Sequence, residues 1–123
     1  MRAAVIGSRS LLVDNIESYI PEEVTEIISG GAKGIDECAK DFALKNGVKL
    51  KIYLPEYNKY GKAAPLKRNF AIIEEADIVI ALWDGKSKGT KNAINIAEKL
   101  NKPLKIYIIK WPPYLKLRPN KKT

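Results

Sequence analysis

The chain has 123 residues and a formal net charge of +8, with one cysteine and no histidine. A single cysteine cannot form an intramolecular disulfide, and the lack of histidine excludes a Cys/His zinc cluster and serine or cysteine catalysis with a histidine base. The length is that of one domain, and no apolar run approaches the roughly 20 residues of a membrane-spanning helix. The N-terminal apolar run is too short for a signal peptide, so we expect a cytoplasmic protein without a membrane partner.

The positive charge is concentrated at the C-terminus. Residues 102–123 hold seven lysine or arginine side chains and no acidic one, whereas charge in the rest of the chain is nearly balanced. We therefore divide the chain into a domain at 1–110 and a basic tail at 111–123. A basic tail is suited to contact the phosphates of nucleic acid, but such termini are more often only solvated. Both interpretations stay open.

Apolar runs predict five strands separated by helical segments. In chain order the strands are predicted at 3–6, 24–28, 50–54, 78–83 and 104–109, and the helices at 14–19, 34–46, 65–76 and from about 90 to just before Pro103. Residues 55–64 form a ten-residue connection, a length that at this edge of a sheet usually serves a site. Alternating strands and helices indicate the α/β class. We predict one Rossmann-like three-layer domain with a mainly parallel five-stranded sheet and helices on both faces.

The segment Ser-Gly-Gly-Ala-Lys-Gly-Ile-Asp at 29–36 lies between the second predicted strand and the second predicted helix. Glycines let a backbone approach a ligand closely, and the first N–H groups of a helix are unpaired and lie at the positive end of its dipole. The glycine spacing matches neither a P-loop nor a dinucleotide fingerprint. The segment therefore predicts a phosphate site, with a tight turn that binds nothing as the alternative.

Four further segments are predicted to lie at the same rim, because ligands of open parallel sheets bind outside the carboxyl ends of the strands. They are Gly-Ser-Arg at 7–9, residues 57–62, Arg-Asn at 68–69, and Trp-Asp-Gly-Lys-Ser-Lys-Gly-Thr at 83–90. No catalytic residue, metal ligand or cofactor is predicted. The predicted ligand-binding and phosphate-binding residues are Gly7, Ser8, Arg9, Ser29, Gly30, Gly31, Ala32, Lys33, Gly34, Asp36, Tyr60, Lys62, Arg68, Asn69, Asp84, Gly85, Lys88, Gly89 and Thr90.

Three of these residues have structural interpretations as well. Asp36 falls in the first turn of a helix, where the dipole stabilises a carboxylate with or without a ligand. Asp84 either binds ribose hydroxyls or forms a turn with Gly85. Thr90 is more simply explained as the cap of the fourth helix than as a phosphate ligand.

Taken in order, the motifs resemble those of the SLOG superfamily. They are Gly-Ser-Arg, Ser-Gly-Gly-Ala-Lys-Gly-Ile-Asp, Tyr-Gly-Lys-Ala-Ala-Pro-Leu-Lys-Arg-Asn, Ala-Asp-Ile-Val-Ile-Ala and Trp-Asp-Gly-Lys-Ser-Lys-Gly-Thr. This superfamily includes the DNA-processing protein DprA (Smf), the LOG phosphoribohydrolases and the YspA/YpsA-related proteins, and the last branch is the most similar. The resemblance covers residues 3–109. It implies a Rossmann-like fold that binds nucleotides, nucleotide-derived ligands or nucleic acid, often as a homo-oligomer.

The resemblance also ranks three functions. Counting from Gly89 and Thr90 places Ala93 where the LOG enzymes carry the glutamate associated with catalysis. We therefore favour binding of a nucleotide or nucleotide-derived ligand of the ADP-ribose kind without turnover. The first alternative is DprA-like binding of single-stranded nucleic acid through the rim and the basic tail, because 29–36 and 65–69 match DprA motifs. The second is LOG-like hydrolysis of nucleoside monophosphates, which Ala93 disfavours.

Overall fold

All five predicted strands are present in the computed structural model, which describes residues 1–110. They are β1 (Arg2–Gly7), β2 (Glu26–Ser29), β3 (Lys49–Ile52), β4 (Ile78–Trp83) and β5 (Leu104–Ile108). Every pairing is parallel, in the order β3-β2-β1-β4-β5, so the predicted α/β class is confirmed and the sheet is entirely parallel. The central strands β1 and β4 are buried on both faces, which explains their continuous apolar sequences.

Four α-helices and two 3-10 helices connect the strands. The α-helices are α1 (Ile35–Asn46), α2 (Tyr57–Tyr60), α3 (Ala64–Glu75) and α4 (Lys88–Lys99), and the 3-10 helices are Ile16–Tyr19 and Gly61–Ala63. The first 3-10 helix and α1 cover one face of the sheet, whereas α3 and α4 cover the other. The predicted Rossmann-like arrangement with helices on both faces is therefore confirmed. Within this range no helix is long and apolar enough to cross a membrane.

Two details of the helix boundaries bear on the predictions. Gly47 ends α1 in the left-handed conformation, as expected for a C-terminal glycine. The prediction that Thr90 caps α4 is wrong, because the cap residue is Ser87 and Thr90 is the third residue of the helix. Ser87 has extended backbone, and its carbonyl oxygen accepts the N–H of Lys91. The helix therefore begins two to three residues earlier than the sequence indicated.

The connection from β3 to α3 is largely helical. Residues 55–64 were expected to be a long connecting loop, but α2 and the second 3-10 helix occupy most of them. The N–H groups of Lys59 and Tyr60 both bond to the carbonyl oxygen of Glu56 and so start a helical turn. The segment therefore presents its side chains from a defined backbone. The predicted basic tail at 111–123 lies outside the described residues.

The end of β1 packs closely against both α1 and β4 at Gly7. A Cβ atom at Gly7 would lie 2.5 Å from the side chain of Ile35 and 2.5 Å from the carbonyl oxygen of Leu82. Ile35 is the first residue of α1, so the missing side chain lets the start of α1 sit on the end of β1. This contact brings the motifs at 7–9 and 29–36 side by side.

Candidate functional site

A cleft of about 490 Å³ opens at the carboxyl rim of the sheet. The strand order reverses between β1 and β4, and the cleft lies at this reversal, where ligands of open parallel sheets bind. Its floor includes the apolar side chains of Ile6 and Ile72. Of the predicted site residues, ten line it: Gly7, Arg9, Gly30, Gly31, Ala32, Asp36, Arg68, Asn69, Gly89 and Thr90.

The other predicted site residues lie around or beneath the cleft. Ser8, Ser29 and Gly34 are buried under its walls, and Lys33, Lys62, Gly85 and Lys88 are exposed outside it. Asp84 belongs to the turn before α4. Tyr60 does not line the cleft, and two lysine ammonium groups, of Lys59 and Lys67, lie 5.1 and 5.7 Å from the centre of its ring.

One wall of the cleft is apolar and was not predicted. It is formed by Leu54, Pro55 and Tyr57 after β3 and by Leu66 at the start of α3. Leu54, Tyr57 and Leu66 are 65%, 59% and 52% exposed, which is high for such side chains. We call these four residues the apolar wall. The sequence pointed to the right segment but to Tyr60, which lies at the other end of α2 and does not line the cleft.

The glycine-rich turn at 29–36 uses most of its own backbone donors. The N–H of Gly31 bonds to Ser29 Oγ at 3.3 Å, and that of Ala32 to Asp36 Oδ2 at 3.0 Å. The N–H of Gly34 bonds to the Glu37 carboxylate at 3.2 Å, and that of Ile35 bonds to a carbonyl oxygen of the β1 turn. These four donors are already engaged, whereas the N–H groups of Lys33 and Asp36 make no hydrogen bond to residues 1–110.

The start of α4 has unengaged donors. No acceptor from residues 1–110 is hydrogen-bonded to the backbone N–H groups of Lys88, Gly89 and Thr90. Gly89 and Thr90 line the cleft, and a Cβ at Gly89 would meet no atom within 4 Å. Arg9 lines the cleft from the end of β1, the neighbouring strand. Two residues with unengaged N–H groups and one arginine thus border the same cleft, and both kinds of donor suit an anion.

A chain of hydroxyl groups supports this end of the cleft. Ser87 Oγ donates to Thr90 Oγ1 at 3.2 Å, and Ser8 Oγ lies 2.8 Å from Ser87 Oγ. Because Ser87 has one hydroxyl hydrogen and gives it to Thr90, Ser8 is the donor in the second bond. Ser8, predicted as a ligand contact, is buried, and its hydroxyl bonds to Ser87, which lines the cleft.

Asp84 holds the turn that leads into α4. Its Oδ1 accepts the N–H groups of Lys86 and Ser87, each at 2.8 Å. Desolvation raises the pKa of Asp84, but the hydrogen bonds to this carboxyl, led by those from the N–H groups of Ser87 and Lys86, together hold its pKa below the usual value. The turn interpretation thus accounts for both N–H contacts of Asp84.

Asp84→Ala is expected to lower the free energy of unfolding at pH 7 by about 1 to 2 kcal/mol, because two N–H groups lose their acceptor. The folded pKa of Asp84 is lowered, so the stabilisation is present above the unfolded pKa of about 3.9 and is lost as the pH falls through the folded pKa. Urea unfolding from pH 7 to pH 2.5 checks this. A difference between wild type and variant that grew towards acid pH would contradict it.

Arg68 and Asp36 both line the cleft and lie beside Gly30. Arg68 Nη1 donates to the carbonyl oxygens of Gly30 at 2.9 Å and Tyr53 at 3.5 Å, and Nε donates to Asn69 Oδ1 at 3.0 Å. Asp36 is 8% exposed. Burial raises the pKa of Asp36, while the Ala32 N–H and the positive charge of Arg68 act against that rise.

The domain is thus a Rossmann-like α/β protein with a rim cleft that is apolar at one end and bordered at the other by unengaged N–H groups of α4. No protein-family model matches the chain, and neither a curated protein nor a solved structure was found to be similar to it. Among the described residues no group of three or more cysteine, aspartate or glutamate side chains is placed to hold a metal ion.

Proposed function

We propose that the cleft binds a nucleotide or nucleotide-derived ligand of the ADP-ribose kind. The observation that carries the proposal is that apolar and hydrogen-bonding groups lie at opposite ends of the cleft. The apolar wall follows β3, and the unengaged N–H groups follow β4. A nucleotide has the same separation, because its base is planar and largely apolar on its faces and its phosphate is anionic. The base lies against the apolar wall, and the phosphate lies at the start of α4 beside Arg9.

The dimensions of the sheet agree with this placement. β3 and β4 are three strand spacings apart in the order β3-β2-β1-β4. At about 4.8 Å per spacing this distance is roughly 14 Å, which leaves room for a sugar between base and phosphate. The resemblance of the rim motifs to those of the SLOG superfamily favours the same class of ligand.

Binding without turnover is favoured over N-glycosidic cleavage. Ala93 is 2% exposed and lines the cleft at the position where LOG enzymes carry glutamate. Asp36 is the single acidic residue among those lining the described cleft, and its Oδ2 is engaged by the N–H of Ala32. A general acid positioned at the start of α4 is thus absent from residues 1–110.

The test compares Tyr57→Ala with Tyr60→Ala, two identical changes three residues apart of which only the first alters the cleft lining. Base stacking on an aromatic ring contributes about 1 to 3 kcal/mol, so Tyr57→Ala is expected to weaken ADP or ADP-ribose binding by about 5-fold to 150-fold. Tyr60→Ala is expected to change it by less than about twofold. Isothermal titration calorimetry measures both.

Inorganic phosphate and adenosine serve as half-ligands in the same titrations. Each is expected to bind more weakly than ADP, because each occupies one end of the cleft. If no nucleotide or ADP-ribose bound at millimolar concentration, the proposal would be overturned. If a single-stranded oligonucleotide bound far more tightly than any mononucleotide, the rim would serve nucleic acid instead, with an affinity that falls steeply with salt.

A further inference from the structure

We propose that Asp36 and Arg68 bind the free hydroxyl groups of a ribose, so that the site selects ribonucleotides over their deoxy counterparts. This inference rests on the proposed function and names the sugar that the same cleft takes. It starts from the carboxylate of Asp36, of which one oxygen makes no hydrogen bond to residues 1–110.

Asp36 as a residue is 8% exposed, yet it lines the cleft. Its Oδ2 accepts the N–H of Ala32 at 3.0 Å. Its Oδ1 makes no hydrogen bond to residues 1–110, and no cation of that range lies within 4 Å of the carboxylate. The N–H of Gly30 and the charge of Arg68 favour the carboxylate without completing its hydrogen bonds. A ligand that supplies a hydroxyl hydrogen to Oδ1 therefore gains a charge-assisted bond.

Arg68 offers the complementary group. Its Nε and Nη1 are engaged by Asn69 and by the carbonyl oxygens of Gly30 and Tyr53, and these bonds fix the plane of the guanidinium. Its Nη2 makes no hydrogen bond to any other described residue, and Arg68 lines the cleft. A hydroxyl group both donates and accepts, so a pair of adjacent hydroxyls can donate to Asp36 and accept from Arg68.

The position of the two residues fits the sugar. Asp36 is the second residue of α1, which follows the turn after β2, and Arg68 contacts the carbonyl oxygen of Gly30 in that turn. In the sheet, β2 lies between β3, which precedes the apolar wall, and β1 with β4, after which the unengaged N–H groups lie. A ligand that spans the cleft therefore presents its sugar to Asp36. A cation is a poorer candidate, since no second acidic residue lines the cleft.

The test measures binding of the four nucleoside 5′-diphosphates by calorimetry and compares the tightest with its 2′,3′-dideoxy form. The dideoxy form is expected to bind at least about tenfold more weakly to wild type, because it lacks the charge-assisted bond. Asp36→Asn keeps an oxygen for the Ala32 N–H and is expected to reduce that ratio to about twofold or less. Asp41→Asn, the same change at an exposed position of α1, serves as control and is expected to keep the full ratio.

The outcomes separate this inference from the function on which it rests. Equal binding of ribose and dideoxy forms to wild type would overturn the inference and leave nucleotide binding intact. A ribose preference that survived in a folded Asp36→Asn variant would show that Asp36 does not bind the ribose hydroxyls and would overturn the inference. Absence of binding by every diphosphate would overturn both. Thermal melting reports folding of the variants, and Asp36→Asn is expected to melt no lower than wild type, because burial already favours a neutral group there.

Discussion

Gly34→Ala is expected to lower the free energy of unfolding by about 4 kcal/mol, the sum of a crowding cost and a backbone cost. A Cβ atom at Gly34 would lie 2.5 Å from the carbonyl oxygen of Ser8 and 2.6 Å from that of Arg9. Both are backbone atoms of the β1 turn, so no side-chain rotation relieves the clash. Gly34 also has φ of +74°, a conformation that alanine adopts at a cost. Guanidinium or urea unfolding at pH 7 measures the change.

Gly47→Ala is the matched control for that substitution. Gly47 also has positive φ, +66°, but a Cβ there would meet nothing within 4 Å. Only a backbone cost applies, and it is smaller than at Gly34, because Gly47 is in the left-handed region whereas the ψ of Gly34, −124°, lies outside it. A loss of about 1 kcal/mol is therefore expected. Similar losses for the two variants would contradict the claim that the turn at 29–36 is packed directly onto the turn after β1. A larger loss at Gly34 that leaves the slope of the denaturant dependence unchanged would support it.

Much of the fold could be predicted from the sequence because its signals are local. The apolar runs of β1 and β4 are continuous since both strands are buried on two faces, and alternation with helical segments then leads to a parallel sheet. The glycine at the end of α1 marked its end correctly. The start of α4 was missed because several polar residues in a row could cap it, and only the Asp84 turn selects Ser87.

The position of the candidate site could be predicted from the sequence, but the groups that it offers to a ligand could not. The rule that strand ends share one rim brought the motifs together, and ten predicted residues line the cleft. Which backbone donors remain unengaged depends on tertiary contacts, such as the bond from the Ile35 N–H to the Ser8 carbonyl oxygen. The proposal places the phosphate at the start of α4, and the phosphate site predicted at 29–36 stays a prediction. The apolar wall depends on the direction of Tyr57, which no local signal specified.

Arg68→Ala is expected to weaken nucleotide binding by about 100-fold and to lower the free energy of unfolding by about 2 kcal/mol. The loss of affinity follows from the proposed contact of Nη2 with the sugar and from the loss of a cation in the middle of the cleft. The loss of stability follows from the carbonyl oxygen of Gly30, which accepts from Arg68 at 2.9 Å and is left without that donor. The positive charge of Arg68 also lowers the pKa of Asp36. Without the guanidinium the pKa of Asp36 rises further, and its charged form becomes less stable.

Two further variants distinguish geometry from charge. Arg68→Lys keeps the positive charge, but its single nitrogen cannot replace the Nε that bonds to Asn69, the Nη1 that bonds to Gly30 and the Nη2 that faces the ligand. We therefore expect Arg68→Lys to regain less than half of the binding free energy that Arg68→Ala loses. Lys67→Ala removes one positive charge from the exposed side of the same helix and is expected to change affinity by less than about twofold. Calorimetric titration with ADP and urea unfolding measure both quantities. Full recovery in Arg68→Lys would mean that the cleft uses charge alone at this position.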